Sequence, residues 1–555
     1  MENTTAISMT PSSPLPHSTG IQARFLLVLL PIISYALLFG ARRGKKRPVA
    51  AANASGLPPS PWRLPVIGNL HQLGSLPHRS LRALAAAHGP VMLLRLGQAP
   101  AVVVSSADAA REVMQAQDHV FASRPSLTIP RRLLYGCTDI AFAPHGPYWR
   151  GARKMSVRHL LSPARVRAYR AVREQEVEAL ARRVAEQASC RGGGGVVRLS
   201  ELLNGFAKDV AGRIVLGLRA DGDDGWRAKV DALLEESNVL LGALHVGDYI
   251  PWLSWVSAVD GTDARVRRAF ERIDRILDEV VDAAAGREMP SSPGEEQTDA
   301  DAFIHVLLSL QQKDAAPAAT GTAEWRLSRD NVKALLEDLF GAGTEATIIV
   351  LEWAMAELLR NKGVMKKLQR EVRRHARSTG GSGSSHGNMI GENDLLGMEY
   401  LRAVIKETMR LHTPGPLLLP HKSMQATQIS GGRYDVPGGT TVIVNAWAIG
   451  RDPAAWESPE EFRPDRFAGS AVDFRGRHFQ LIPFGAGRRM CPGVNLAMSV
   501  VELALANLVA RFDWALPEGE AVQLDMEETT GCTSRKRAPL RAIATQHCFS
   551  PSVSF

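Results

Sequence analysis

The stretch that decides the fold is FGAGRRMCPG, residues 484–493, which places a single cysteine directly before Pro-Gly and among three glycines. Cys491 has no second cysteine at CxxC spacing, so the sequence does not indicate a zinc site. Pro492 favours the first position of a helix, which puts Cys491 just ahead of a helix N-terminus, where backbone N–H groups stabilise a thiolate. Gly487 permits a tight turn, and Gly493 permits the close approach of something flat and bulky.

An arginine completes this pattern. Arg489 lies two residues before Cys491, where its guanidinium is able to neutralise an anionic group on the same bulky ligand. A thiolate, an anion-binding arginine and a flat space lined by glycine together predict a haem, with Cys491 on the iron and Arg489 on a propionate.

The same stretch resembles the haem-binding signature of the cytochromes P-450. The residues that carry this resemblance are Phe484, Gly487, Arg489, Cys491 and Gly493. The resemblance implies haem b (iron protoporphyrin IX) as the cofactor, contacted by Phe484, Gly485 and Gly493 as well as by Cys491. In that class the cysteine thiolate pushes electron density toward the iron, which favours cleavage of the O–O bond.

Further motifs follow in the order of that family over almost the whole chain from Leu57. ETMR places Glu407 and Arg410 three residues apart, hence on one face of a helix, and FRPDRF contains Arg466. The resemblance implies that these three residues form a buried network that braces the haem loop and takes no part in the chemistry.

Other motifs are assigned to the haem propionates and to the substrate by resemblance alone. YWRGAR contains Trp149 and Arg153, and LLPHKS contains His421; all three are expected to contact a propionate. Substrate contacts are expected, by family position, at Ala342, Ala346, Leu417, Leu418 and Cys532. LPPSPWRLPVIGNLHQLG and VLEWAMAELL are similar to the plant A-type cytochromes P-450, especially the family 71 group of grasses.

The chain departs from the family pattern in the long helix that lies over the haem. The usual form is A/G-G-x-acid-Thr-Thr/Ser, and residues 342–347 read AGTEAT. Glu345 fits the acidic position of the proton path, and Gly343 is expected to bend or open the helix. The usual hydroxyl position is Ala346, and Thr347 is rotated from it by roughly 100° about the helix axis. We expect Glu345 and Thr347 to be the catalytic side chains.

The composition of the chain restricts the class of partner and the cellular compartment. The chain has 555 residues, 45% of them hydrophobic, and a formal net charge of +9. No basic stretch is interleaved with aromatic residues, which argues against nucleic acid as the partner. The cysteines number five and are widely spaced, which favours a reducing compartment.

The amino end predicts a membrane anchor. Residues 25–41 are apolar and uncharged, at the short end of the roughly 17–25 residues that span a bilayer. Five positive charges follow at residues 42–47 and place the rest of the chain in the cytosol. We expect a luminal tail over 1–24, a transmembrane anchor over 25–41, a basic and proline-rich linker over 42–65 and a catalytic domain over 66–548. Single-pass anchoring in the endoplasmic reticulum follows.

The body predicts one domain that is mainly α with small β-sheets. YLRAVIKETMRLH and VNLAMSVVELALANLVARF have helical patterns, the second apolar nearly all round, whereas PAVVVSS and TTVIVNAWAI are β-rich. GAGTEA, residues 341–346, matches a dinucleotide fingerprint but follows a helical pattern where that motif needs a strand. Electrons are therefore expected from another protein, and the resemblance implies an NADPH-dependent cytochrome P-450 reductase.

Three functions stay open at this point. The first is a monooxygenase that inserts one oxygen atom from O₂ into a small lipophilic or aromatic plant specialised metabolite, including an indole-derived one. The second is a haem-thiolate isomerase or dehydratase that needs no oxygen activation, and the third is a non-catalytic haem-binding sensor. Dependence on reductant and O₂ separates the first from the second.

Overall fold

A computed structural model describes residues 56–189, 195–218, 236–286, 302–315, 326–379, 389–517, 524–529 and 531–547. The expected luminal tail, the expected membrane anchor and most of the expected linker lie outside these residues, as do Cys190 and Cys548.

Helices dominate the described part of the chain, which confirms the predicted fold class. The α-helices are α1 Pro77–His88, α2 Ala107–Arg111, α3 Thr128–Leu133, α4 Pro147–Ser156, α5 Pro163–Ala168, α6 Arg170–Ser189, α7 Leu199–Ala211, α8 Val246–Tyr249, α9 Val256–Val259, α10 Thr262–Ala285, α11 Phe303–Ala315, α12 Arg329–Arg360, α13 Lys362–Thr379, α14 Glu399–Leu411, α15 Ala446–Ile449 and α16 Val494–Arg511. Residues 236–241 are also helical. Short π-helical turns continue α2, α4 and α7 at Glu112–Ala116, Val157–Leu161 and Gly212–Leu216.

The strands form three small sheets at the side of the helices. They are β1 Val91–Leu96, β2 Ala99–Val104, β3 Val196–Val197, β4 His421–Lys422, β5 Thr427–Ile429, β6 Tyr434–Val436, β7 Thr441–Val444, β8 Phe512–Ala515 and β9 Ala542–Gln546. The sheet orders are β1-β2-β7-β4, β3-β9-β8 and β5-β6. The two β-rich segments singled out in the sequence supply β2 and β7, which pair in parallel.

The second of those segments does not stay extended to its end. Its last residues form α15, because the Asn445 side chain accepts a hydrogen bond from the backbone N–H of Ala448 at 3.0 Å and caps the helix. The prediction of β structure through the whole segment was therefore wrong after Val444.

The central element is α12, a helix of 32 residues that begins at a capping box between Ser328 and Asn331. It packs against α7, α10, α13, α14 and α16, so that most of its length is buried on every side. The GAGTEA stretch lies inside it and follows helix, which confirms that the dinucleotide match is spurious. The helix is continuous through Gly343, so it is not opened there, and the expected bend stays a prediction.

Two other predicted helices are confirmed. The apolar face expected on α14 is buried throughout: Leu401, Val404, Ile405 and Thr408 are 0% exposed. Within the described residues α16 is the one helix long and apolar enough to cross a membrane, but 67% of that segment is buried inside the domain. It belongs to the main apolar core, together with residues of α6, α7, α10, α12 and α14.

Candidate haem site

A cavity of about 440 Å³ lies between α12 and the stretch 484–493. Its lining includes, from the expected site residues, Ala342, Glu345, Ala346, Thr347, Leu418, Cys532, Arg153, His421, Phe484, Gly485, Arg489, Cys491 and Gly493. Most of the other lining residues are aliphatic, including Leu134, Ile140, Val350 and Leu419. The fold therefore brings together residues that are more than 300 positions apart in the chain, such as Arg153 and Cys491.

The loop that carries Cys491 is held in a tight turn by two glycines. Gly485 and Gly487 adopt φ values of +68° and +64°, and a Cβ atom at Gly487 would lie 1.8 Å from the carbonyl oxygen of Met114. No side chain fits that position without moving the backbone of Met114. The backbone N–H of Cys491 donates to the carbonyl oxygen of Phe484 at 2.9 Å, which closes the loop.

The helix after this loop begins later than the sequence suggested. Gly493 is the cap residue and α16 begins at Val494, so the prediction that Pro492 occupies the first helical position was wrong by two residues. The backbone N–H of Gly493 nevertheless donates to the Cys491 thiol, which therefore still receives the stabilisation expected at a helix start.

Cys491 is exposed by accessible surface and lines the cavity, while protein atoms surround the rest of the sulfur. Burial raises the pKa of the thiol, whereas the Gly493 N–H and the positive charge of Arg153 lower it. A positively charged metal ion bound to the sulfur would add to the lowering, because a coordinating thiol is deprotonated. The position thus suits a metal ligand better than a free nucleophile.

Three arginines and a histidine line the side of the cavity next to Cys491. Arg489 donates to the carbonyl oxygens of Ala122 and Ala143, each at 2.6 Å, and Arg153 donates to that of Met490 at 2.6 Å. Arg124 was not predicted from the sequence, although an arginine within the apolar run VFASRP was a usable signal.

This cluster has an excess of buried positive charge. Burial, aided by Arg124 and Arg153, lowers the pKa of Arg489 to about 8. Burial likewise lowers the pKa of Arg124 to about 10. Burial and Arg124 also lower the pKa of His421 to about 3, and its Nδ1 donates to the carbonyl oxygen of Phe121 at 2.8 Å. An anionic ligand would relieve this repulsion, so the residues present fit the carboxylates of a haem.

Trp149 is not among the residues that line the cavity, and its expected direct contact with a propionate stays a prediction. Its Nε1 donates to the carbonyl oxygen of Ile140 at 3.1 Å. The Arg489 guanidinium lies over its indole ring, 4.0 Å from the ring centroid. Trp149 is therefore a packing surface that holds Arg489 in place through a cation–π contact.

The expected catalytic residues lie on the cavity side of α12. The Thr347 hydroxyl donates to the carbonyl oxygen of Gly343 at 2.7 Å, within the helix. The Glu345 carboxylate is ion-paired with Arg535 and accepts a hydrogen bond from the Asn238 side chain at 2.9 Å. The contact with Arg535 was not predictable from the sequence, because the two residues are 190 positions apart.

The expected substrate contacts divide into two groups. Ala342, Ala346, Leu418 and Cys532 line the cavity. Leu417 is not among the lining residues and packs against an apolar cluster formed by β1, β2 and Leu81 of α1, so its expected contact with the substrate stays a prediction. Leu418 adopts φ +51°, and this turn of the backbone sends consecutive side chains to different sides of the loop.

Glu407, Arg410 and Arg466 meet in a fully buried network. Arg410 Nε and Nη2 donate to the two carboxylate oxygens of Glu407 at 2.7 and 2.9 Å, and Arg466 Nε donates to Glu407 Oε1 at 3.0 Å. The backbone N–H of Arg463 adds a fourth hydrogen bond at 2.8 Å. Arg410 also donates to the carbonyl oxygen of Gly450 at 2.6 Å, which ties α14 to the segment after β7.

Three buried acids beside the cavity were not predicted. Asp338 accepts the backbone N–H groups of Ile140 and Ala141 at 2.9 and 3.1 Å, so it fixes the loop that carries part of the cavity wall. Burial raises the pKa of Asp338 to about 6, and burial with the nearby Asp338 charge raises that of Asp139 to about 8. Burial also raises the pKa of Glu337.

We expect Asp139→Asn to make the thermal stability of the protein less dependent on pH. A carboxyl whose folded pKa is raised stabilises the fold fully below its unfolded pKa, and this contribution is lost as pH rises through the folded pKa. For Asp139 that window extends from the ordinary value of 3.8 to about 8. Measured Tm values should fall less across this window in Asp139→Asn than in the wild type. The exposed Asp330→Asn is the control, and equal pH profiles for all three proteins would contradict the assignment.

Comparisons with known proteins agree with this fold and site. The family model for cytochrome P450 matches residues 58–540. Cytochrome P450 71A1 of Persea americana is 45% identical over 483 residues, covering 86% of this chain and 91% of that protein. Norfluorocurarine oxidase of a Strychnos species is 44% identical over 529 residues, covering 94% of this chain and 98% of that protein. A zebrafish cytochrome P450 solved with progesterone has a TM-score of 0.67 at 26% identity, covering 85% of this chain and 99% of that one.

Fold and relatives together define a haem-binding oxidoreductase of the monooxygenase class. The chain belongs to the cytochrome P450 family. Members of this family bind haem and receive their electrons from a reductase, so the predicted cofactor and reaction class are confirmed. The resemblance to the plant group of family 71 is also confirmed, and a narrower origin in grasses stays a prediction.

Proposed function

We propose that this protein inserts one oxygen atom from O₂ into a small lipophilic plant specialised metabolite. The observation that carries the proposal is the cavity itself, which has Cys491 and the arginine cluster on one side, α12 with Glu345 on another, and aliphatic side chains over most of the rest. A cavity with such a lining favours apolar molecules.

Cys491 is the proposed ligand of the haem iron. Arg124, Arg153, Arg489 and His421 are the proposed partners of the haem carboxylates, and Phe484, Gly485 and Gly493 shape the space beside the sulfur. Bound there, the haem supplies O₂ binding and O–O cleavage, favoured by electron donation from the thiolate. The protein supplies binding, orientation and charge neutralisation.

The remaining expected residues have supporting roles in this proposal. Glu345 holds and passes protons at the cavity wall, and Thr347, the other expected catalytic side chain, lines the cavity with its hydroxyl bonded to the carbonyl oxygen of Gly343. The Glu407 network braces the segment 451–466, which leads toward the loop of Cys491. Ala342, Ala346, Leu418 and Cys532 shape the space for the substrate.

The substrate class is supported by the relatives and by the lining. One relative is an oxidase of norfluorocurarine, and another is a plant cytochrome P450 of family 71. An indole-derived substrate remains part of the proposal, although the mainly aliphatic lining favours apolar ring systems in general. Ala346 is the observation that favours the second candidate function, a rearrangement or dehydration, because such a reaction has no need of a hydroxyl for oxygen activation.

Partner and location complete the proposal. An NADPH-cytochrome P-450 reductase in the same membrane is the proposed electron donor. Anchoring through residues 25–41 in the endoplasmic reticulum, with the catalytic domain in the cytosol, follows from the apolar run and from the positive charges after it.

Membranes that contain the full-length chain and a reductase test this function. Panels of indole-type, terpenoid and phenylpropanoid compounds are first screened for shifts in the haem absorption spectrum, and compounds that cause a shift are then incubated with NADPH. We expect a product that contains one oxygen atom from ¹⁸O₂ and that is absent without NADPH or without O₂. A product formed equally well under argon and without NADPH would favour rearrangement or dehydration instead.

A further inference from the structure

The central helix α12 has no hydroxyl near Glu345 that is free to bond the Glu345 carboxylate. Ala346 has none, and the hydroxyls of Thr344 and Thr347 donate to carbonyl oxygens of the helix itself, at 2.8 and 2.7 Å. Thr344 is also 1% exposed and does not line the cavity. A hydroxyl partner for Glu345 on the cavity side must therefore come from another element.

The segment before β9 supplies such a hydroxyl. Thr533 Oγ1 lies 2.8 Å from Glu345 Oε1 and donates to it. Both residues line the same cavity, and Cys532 lies beside them on that wall. Among the described residues that line the cavity, Thr533 is the one whose hydroxyl is hydrogen-bonded to Glu345. Residues 188 positions apart in the chain thus form an acid–hydroxyl pair.

Two further side chains hold this pair in place. Arg535 Nε donates to Glu345 Oε1 at 2.5 Å, and its Nη2 contacts the other carboxylate oxygen. The Asn238 Nδ2 donates to Glu345 Oε1 at 2.9 Å, and Asn238 Oδ1 lies 3.2 Å from Thr533 Oγ1. A two-point contact between guanidinium and carboxylate fixes both distance and orientation. The Glu345 carboxylate is 12% exposed, so this contact is sheltered from solvent screening.

We propose that Thr533 is the hydroxyl through which Glu345 passes protons to the cavity, in the role that Ala346 leaves unfilled, and that Arg535 and Asn238 are positioning residues for this pair. The proposal rests on the proposed monooxygenase function. The Thr533 hydroxyl, which donates to Glu345 Oε1 at rest, turns toward the cavity and gives its proton to a water molecule there, while Oγ1 takes up the proton carried by Glu345 Oε1. One O–H bond breaks and one forms at Oγ1, and the proton that leaves Glu345 is replaced by one delivered to the cavity water.

The main test compares Thr533→Val, which keeps the shape but removes the hydroxyl, with Thr533→Ser, which keeps the hydroxyl. Both are made in the full-length chain and assayed in membranes with reductase and a substrate from the spectral screen. We expect Thr533→Val to lower product formed per NADPH by about 10-fold or more, with the electrons lost to peroxide, because positioned proton transfer contributes at least that much. The Kd from the spectral shift should change less than about 2-fold, and Thr533→Ser should retain coupling.

A second-site variant separates a relay from a merely structural role. The double variant Ala346→Thr/Thr533→Val places a hydroxyl at position 346 of α12 in place of the one removed at position 533. The amount of product formed per NADPH should then recover. Thermal unfolding gives a readout that does not depend on turnover. The Tm losses of Thr533→Val and Glu345→Gln should not add in the double variant, because the two residues share one hydrogen bond.

Each outcome decides the proposal. Full coupling in Thr533→Val, or additive Tm losses, would overturn it. Should Thr533→Val fail to fold, Arg535→Lys is the replacement, since lysine keeps the charge but not the two-point contact; full coupling in that variant would also overturn the proposal. If the wild type forms no O₂-dependent product, both the proposed function and the relay are wrong. If the wild type and Thr533→Val form equal amounts of product per NADPH, the relay alone is wrong.

Discussion

Replacement of Cys491 by alanine is expected to remove the red-shifted absorption of the reduced, carbon monoxide-treated protein and to lower turnover by at least about 100-fold. The physical reason is that the sulfur is the proposed bond from the protein to the iron, and loss of even an outer partner of a metal ligand typically costs about 10- to 100-fold. The measurement is the difference spectrum of purified full-length protein, together with haem content and NADPH-dependent product formation.

The matched control is Cys532→Ala, which removes the other thiol that lines the cavity. Burial, with the nearby Glu345 charge, raises the pKa of Cys532 to about 11, whereas Cys491 has the positive charge of Arg153 and the N–H of Gly493 beside it. We expect Cys532→Ala to keep the red-shifted absorption. If Cys491→Ala keeps that absorption with unchanged haem content, the assignment of Cys491 as the ligand of the haem iron is wrong. Far-ultraviolet circular dichroism of both variants distinguishes loss of the haem bond from loss of the fold.

We expect Glu407→Gln to destabilise the protein by about 3–5 kcal/mol, the usual cost of removing one partner of a buried ion pair. The carboxylate is 0% exposed and accepts four hydrogen bonds, from Arg410, Arg466 and the backbone of Arg463. Without its negative charge, the fully buried Arg410 guanidinium is left uncompensated. Since typical domains are stable by about 5–15 kcal/mol, we also expect low yield of folded, haem-loaded protein.

Urea unfolding midpoints measure this effect, and Arg463→Met is the matched control. Its side chain pairs with Glu457 at the surface, 39% and 79% exposed, while its backbone N–H still serves Glu407. We expect no change of the midpoint in the control. The double variant Glu407→Leu/Arg410→Met should recover part of the loss, since it removes the fully buried Arg410 charge together with its partner, and the Arg466 guanidinium still donates to the carbonyl oxygens of Glu457 and Ser458. Equal midpoints for Glu407→Gln and Arg463→Met would show that the network does not brace the domain.

The parts of the site that could be predicted are those whose residues are close together in the chain. The turn through Gly485 and Gly487, the pairing of Glu407 with Arg410 on one helix face, and the helical setting of GAGTEA all follow from local spacing. The predicted start of α16 was less accurate. The helix begins at Val494 after the cap residue Gly493, and not at Pro492, because its start depends on how the loop is packed.

The parts that could not be predicted depend on contacts between distant segments. Arg124 reaches the carbonyl oxygens of Leu419 and Pro420, almost 300 positions away, and so joins the arginine cluster. Trp149 lies under Arg489 and away from the cavity for a similar reason. Which side of a loop such a side chain occupies is decided by the neighbours it packs against, and spacing along the chain carries no information about those neighbours.

By itself the sequence determined the family, the helical class of the fold and the cysteine that faces the cavity, because each depends on short patterns of glycine, proline and helical periodicity. Only the tertiary structure decided which charges meet at the site: three arginines on one side, three raised-pKa acids beside them, and Glu345 paired with Thr533 and Arg535. Hydrogen bonds and ion pairs act over about 3 Å, and folding alone brings groups separated by hundreds of residues within that distance.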